Sequence, residues 1–158
     1  MEKEFELTVD GKLENLTRIS EFMTETMRHC NIHNSKDMFA IQLSVDEACT
    51  NIIKHAYSNK SEGVIMIRCM LSSPGNKFIV NIMDWGKAFD PTIVPKPDTD
   101  SSLIERKVGG LGIFFMRKFM DEIKYVRGKD MNLLIMAKYL QNEDSSNGSE
   151  ENGNKNRR

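Results

Sequence analysis

The sequence predicts an α/β (α+β) sandwich: a mainly antiparallel mixed sheet with helices packed on one face. Three observations point there. An alternating apolar and polar run opens the chain, two helical periodicities follow it, and the remainder reads as strand, strand, long loop, helix, strand, strand. At 158 residues the chain is long enough for one ordinary domain.

Phe5, Leu7 and Val9 alternate with Glu4, Glu6 and Thr8, which predicts a half-buried strand ending at the Asp10-Gly11 turn. From Asn15 to about Cys30 the residues Leu16, Ile19, Phe22, Met23 and Met27 recur at helical spacing, the mark of an amphipathic helix. A second helix is expected from about Lys36 to Tyr57, capped by Asn34 or Ser35, with Phe39, Leu43, Ala48, Ile52 and Ala56 on one broad apolar face. Val64–Leu71 and Lys77–Met83 read as strands joined by the Ser-Ser-Pro-Gly-Asn turn at 72–76.

Gly86 to Gly110 contains Pro91, Pro95 and Pro97 and a Thr99-Asp100-Ser101-Ser102 cluster. A loop of that length inside a compact domain is either a missed element or a functional lid. Leu111 to Met120 resumes a helical pattern, and Glu122 to Arg127 and Leu133 to Tyr139 form the last two strands around Gly128-Lys129-Asp130. No apolar residue occurs from Gln141 to Arg158, so a folded unit over 1–140 is expected to carry a disordered polar tail over 141–158.

Composition narrows the function. The 22 Lys and Arg balance 23 Asp and Glu, which leaves no general attraction to nucleic acid or to anionic membrane, and neither is expected as a direct partner. The chain opens without a basic start and apolar run, and nowhere do about 18 apolar residues follow one another, so a cytoplasmic location is expected. Cys30, Cys49 and Cys69 are odd in number, far apart and set in apolar patterns, which suits reduced core thiols.

Three motifs carry chemistry. In Ser44-Val45-Asp46-Glu47-Ala48-Cys49-Thr50-Asn51-Ile52-Ile53-Lys54-His55-Ala56-Tyr57, Glu47 and Asn51 are one helical turn apart on the same face. A carboxylate beside an amide oxygen suits magnesium, a hard cation that takes oxygen ligands; the alternative is a solvated helix face. In Asp84-Trp85-Gly86-Lys87-Ala88-Phe89-Asp90-Pro91, an acid at a strand end can accept from the exocyclic amine of adenine, and a glycine two residues on lets backbone approach the base. An ordinary Asp and Gly turn is the plain alternative. In Gly109-Gly110-Leu111-Gly112-Ile113-Phe114, glycines lead into a helix, whose free amides and positive dipole end make an anion site. This pattern is neither a Walker loop nor a dinucleotide fingerprint. Arg106 and Lys107, just before these glycines, either reach a terminal phosphate when the lid closes or solvate the loop. His55, two turns after Glu47, reads as a packing and hydrogen-bonding residue.

The order, spacing and wording of the three motifs resemble the GHKL ATPases, and within them the anti-sigma-factor serine kinases, over about Phe5 to Tyr139. The resemblance implies a Bergerat-type ATP-binding fold with an ATP lid at about 87–109. It implies that Glu47 is the general base, Asn51 the magnesium ligand, Asp84 the adenine acceptor, and Gly110 and Gly112 phosphate holders, with Gly109 and Leu111 in the same turn. Gly86, Ala88, Phe89 and Asn132 complete the implied nucleotide set. ATP and Mg2+ are the implied cofactors. An anti-sigma-factor antagonist of STAS type and a sigma factor are the implied partners, and a homodimer the implied assembly; a non-catalytic nucleotide-gated switch is the alternative. Two positions depart from the pattern: Ala88 stands where many members have a second glycine, and Met131-Asn132 where a Gly-Thr pair opens the last strand. Asn132 offers a polar side chain in place of the missing hydroxyl.

Overall fold

In a computed structural model that describes residues 2–58, 63–72, 75–88, 90 and 111–141, the chain runs β1 (Lys3–Asp10), α1 (Leu16–His29), α2 (Ser35–Asn51), β2 (Val64–Leu71), β3 (Lys77–Asp84), α3 (Leu111–Phe119), β4 (Glu122–Arg127) and β5 (Asn132–Tyr139). A 3-10 turn at Leu13–Asn15 precedes α1, and a π-helical turn at Ile52–Ala56 prolongs α2. The strands form one sheet in the order β1-β2-β3-β5-β4.

Every described pairing is antiparallel, so the expected mixed sheet is an antiparallel one over these residues. Connectivity explains this. Two helices lie between β1 and β2, and each reverses the chain, which returns β2 antiparallel to its neighbour. The single helix between β3 and β4 leaves those two strands parallel, but β5 lies between them.

The helices cover one face. Ile65, Ile67 and Cys69 of β2, Phe78, Val80 and Ile82 of β3, and Leu134 and Met136 of β5 pack with Ile19, Met23 and Met27 of α1 and Ile41, Val45 and Cys49 of α2 in one core. Strand alternation sends the intervening residues to the opposite face, where they stay half-buried. Cys30, Cys49 and Cys69 are buried free thiols, as their apolar setting predicts. Burial pushes the Cys49 and Cys69 thiols up, away from the reactive thiolate.

Helix ends follow local chemistry. Asn34 is the cap of α2: its side chain accepts from the Lys36 and Asp37 amides at 3.0 and 3.1 Å. At the end of α1, Asn31 takes a left-handed φ of 56°, and the Ile32 amide donates back to Met27 O at 2.9 Å, a Schellman closure.

The face of α2 needs correction. Phe39 does not join the core; it is 58% exposed and meets Phe119 edge-on, ring centroids 5.9 Å apart. Phe39 precedes Ile41 by two residues, which sets it about 200° round the helix from that core side chain. The buried stripe instead runs through Ala40, Ile41, Ser44, Val45, Ala48 and Cys49. His55 is likewise exposed and takes no core position.

Gln141, the first residue of the expected tail, is tied down: its amide donates to the buried Asp37 carboxylate at 3.0 Å. The tail from 142 onward lies outside the described residues, as does the implied lid apart from positions 87, 88 and 90.

Candidate functional site

The first two motifs meet through the π-helical turn. Asn51 ends α2, and the widened turn from Ile52 closes with the Tyr57 amide on Ile52 O at 3.0 Å. The same turn ends on Ala56, whose carbonyl accepts from the Lys87 amide at 2.9 Å. Gly86 lies against this carbonyl so closely that a Cβ there would stand 2.6 Å from Ala56 O. Its side-chain position is filled by the end of the α2 extension, so the glycine serves helix–strand contact. Gly86→Ala is therefore expected to destabilise the chain by roughly 1–3 kcal/mol and lower Tm by roughly 2–12 °C in a nucleotide-free melt. An unchanged Tm would mean that the turn moves aside without strain.

Asp84 ends β3 and is only 4% exposed. One carboxylate oxygen, Oδ1, accepts from the Gly86 amide at 2.9 Å and from Asn132 Nδ2 at 2.9 Å. Among the described residues no donor reaches Oδ2. Burial pushes this carboxyl above its usual range; the Asn132 and Gly86 bonds and the nearby Arg127 cation oppose that rise.

Asn132, 1% exposed, uses its whole amide. Nδ2 also donates to Gly86 O at 3.0 Å, while Oδ1 accepts from Tyr125 Oη at 2.9 Å and from Arg127 Nη1. Two donors on the oxygen fix the amide's orientation, so the NH2 end must face Asp84. Asn132 thus supplies a polar partner at this site, acting on the acid.

The third motif closes over the first. A Cβ added at Gly112 would overlap the Glu47 carboxylate, coming 2.6 Å from its Cδ, so the bare glycine leaves room for Glu47 against the first turn of α3. The carboxylate thereby sits at a helix N-terminus, where the dipole favours negative charge. Asp46 points elsewhere: Gln42 Nε2 bridges it, at 3.5 Å, to Ser20 of α1 at 3.0 Å. Leu111 opens α3 beside Gly112.

Between these groups lies a cleft lined by Ala48, Asn51, Ile52, Ala56, Asp84, Met116, Tyr125 and Leu134, with an apolar body and one acid and one amide at its wall. The structure brings together Asn51 and Asp84 at this cleft, with Asn132 and Gly86 behind the acid. Glu47 lies one turn from Asn51 and against Gly112. Ala88 is exposed on the turn after Gly86. Phe89, Arg106, Lys107, Gly109 and Gly110 lie outside the described residues.

Two contributors carry no motif of their own. Tyr125, half-buried, and Arg127, exposed, share one face of β4, a period-2 signal that shows which face they take but not what they hold. Tyr57 wedges between Gly11 and Gly63, and its hydroxyl donates to Val64 O at 2.6 Å and accepts from the Trp85 amide at 3.0 Å.

A magnesium ion fits the donor chemistry. Asn51 and Glu47 offer an amide oxygen and a carboxylate, both hard oxygen donors, one turn apart on α2. Magnesium held by few protein oxygens, with phosphates and water for the rest, matches that set. Among the described residues no helix is long and apolar enough to cross a membrane.

The chain matches relatives over most of its length. A profile of the histidine kinase-like ATPase domain matches residues 9–138. The chain is 31% identical over 117 residues to the serine-protein kinase RsbW of Bacillus velezensis, covering 72% of this chain and 71% of that one. It is 33% identical over 101 residues to the anti-sigma F factor of a Thermoanaerobacter species, covering 63% and 68% respectively. It is 32% identical over 101 residues to the serine/threonine-protein kinase BtrW of Bordetella bronchiseptica, covering 64% and 70%. In fold it is similar to a crystal structure of the RsbU and RsbW domains of a Mycobacterium tuberculosis protein, at a TM-score of 0.62 and 14% identity, over 87% of this chain and 32% of that one. The profile match spans the sheet and its helices, and the chain belongs to the histidine kinase-like ATPase family, in its anti-sigma-factor serine kinase branch.

Proposed function

We propose that this chain is a cytoplasmic, homodimeric, ATP-dependent protein serine/threonine kinase. It phosphorylates an anti-sigma-factor antagonist of STAS type and otherwise sequesters a sigma factor. The observation that carries this reading is the meeting of Asn51 and Asp84 at one cleft, with Glu47 one turn from Asn51 and against Gly112 in the first turn of α3. A pure nucleotide sensor has no need of a carboxylate at that place.

Each side chain has a task. Asp84 accepts from the adenine amine through Oδ2, while Oδ1 stays held by Gly86 and Asn132. Gly112, with Gly110 and Gly109 before it, lets the phosphates approach the start of α3. Asn51 would hold magnesium, which neutralises phosphate charge. Glu47 takes the proton of the acceptor hydroxyl as its oxygen bonds to the terminal phosphorus, and the bond from that phosphorus to the bridging oxygen of ADP breaks. Arg106 and Lys107 belong to the lid in this reading.

Incubation with ATP labelled at the terminal phosphate and a candidate antagonist tests the proposal. Label on a serine or threonine of the antagonist is the expected result. Tight ATP binding with no transfer to any antagonist that the chain binds would make it a nucleotide-gated switch instead.

A further inference from the structure

Strand β4 turns Ile123 and Tyr125 toward the helices, both half-buried against the core. Around Tyr125 the cleft is walled by aliphatic and thioether side chains, Ile52, Met116 and Leu134, and Leu134 stands directly opposite Tyr125 in the strand register. Among the described residues that line the cleft, Tyr125 is the one aromatic. Packing alone does not ask for it. An aliphatic residue fills a helix-facing strand position at no polar cost, whereas a part-buried phenol must find a hydrogen bond for its hydroxyl.

The hydroxyl finds that bond at the site itself. Tyr125 Oη donates to Asn132 Oδ1 at 2.9 Å, and Asn132 Nδ2 donates in turn to Asp84 Oδ1 at 2.9 Å. The ring is thereby held at both ends, by its strand and by Asn132, in the same cleft as the acid. Arg127 also donates to Asn132 Oδ1, so the amide oxygen keeps a donor without the phenol. What Tyr125 adds and Arg127 does not is a flat, rigid ring in the cleft wall. Asp84 can read one edge of a purine but leaves the rest of its ring system to be covered, and an aromatic side chain covers a base well because every base has a π-face.

We propose that Tyr125 is a base-contacting residue of the cleft: its ring packs against the purine whose amine Asp84 accepts, and its hydroxyl bond to Asn132 ties that ring to the acid. This rests on the ATP reading above and adds a residue to its site. The two contributions separate by substitution. Tyr125→Phe keeps the ring and loses the tie, while Tyr125→Leu keeps apolar bulk and loses the ring.

Equilibrium binding of MgATP, beside that of magnesium tripolyphosphate, which carries the phosphates and no base, tests it. Tyr125→Leu is expected to weaken MgATP binding by about 5- to 150-fold, the scale of losing one base–aromatic contact, and to bind tripolyphosphate as the parent does. Tyr125→Phe is expected to stay within a few-fold of the parent for MgATP, a rescue by the ring alone. Should Tyr125→Leu misfold, the parent chain carrying fluorine-labelled tyrosine decides the matter: adenosine, which has no phosphates, is expected to shift the fluorine resonance that Tyr125→Phe removes. Parental MgATP affinity in Tyr125→Leu, an equal loss of MgATP and tripolyphosphate, or a Tyr125 resonance unmoved with adenosine bound would overturn the contact while leaving the ATP reading. A parent chain that binds MgATP no more tightly than tripolyphosphate would overturn both.

Discussion

Glu47→Ala and Glu47→Gln are expected to cut phosphoryl transfer by about two to four powers of ten, the scale of general-base loss, while MgATP affinity stays within a few-fold. Glu47 and Asn51 share a helix face, so the separation of roles is testable residue by residue. Asn51→Ala should weaken magnesium-dependent nucleotide binding itself, with little change in affinity measured without magnesium. Glu47 is placed for proton acceptance by Gly112, whose missing side chain leaves room for the carboxylate at the start of α3. No neighbour can readily take over. Asp46 is linked through Gln42 to α1, and burial already pushes its carboxyl up despite the Gln42 bond. Nucleotide affinity with and without magnesium, beside transfer to an antagonist, is the measurement. Transfer at the parent rate by Glu47→Ala would remove Glu47 as the base, and unchanged behaviour of both variants would make this helix face merely solvated.

Asp84→Asn is expected to weaken ATP binding by about 10- to 200-fold, the range for a hydrogen bond to a charged acceptor. The substitution keeps the shape and keeps an oxygen for Gly86 and Asn132. It turns the remaining atom from acceptor to donor, which then faces the adenine amine donor to donor. Its pH signature differs from that of a simple structural defect. Burial raises the Asp84 carboxyl above its usual range, so the fold favours the protonated form. The stability gained in this way is complete below the unfolded carboxyl range and is lost as pH rises through the folded value. Asp84→Asn has no such proton to lose, so its nucleotide-free stability should depend less on pH than the parent's. A variant with parental ATP affinity would show that the base lies elsewhere.

The sequence shows these features unevenly, for physical reasons. Alternation in β1 and the apolar runs of β2 and β3 predict strands because one face of each is buried under helices. Spacing alone brings Glu47 and Asn51 to one face. The π-helical turn at Ile52–Ala56 has no periodicity of its own and reads as more α-helix, yet it positions the carbonyl against which Gly86 packs. For that reason the packing contact of Gly86 with Ala56 is not legible in the sequence. Phe39 misleads because a large aromatic raises apolarity wherever it stands, and its ring meets α3 at the surface. Tyr125 reaches Asp84 through Asn132, and Arg127 both through Asn132 and by its charge, a tertiary relation that joins Asn132 to an acid 48 positions away and to the neighbouring strand. Asn132 stands out only against the family's expected hydroxyl.

Equilibrium titration of the unmodified chain with MgATP and with MgGTP tests the central claim most directly, since an acceptor at Asp84 Oδ2 meets the amine of adenine but the carbonyl of guanine. ATP bound at least about tenfold more tightly than GTP is the expected result. Equal affinities, or no binding of ATP, would contradict an ATP-dependent kinase built on this cleft.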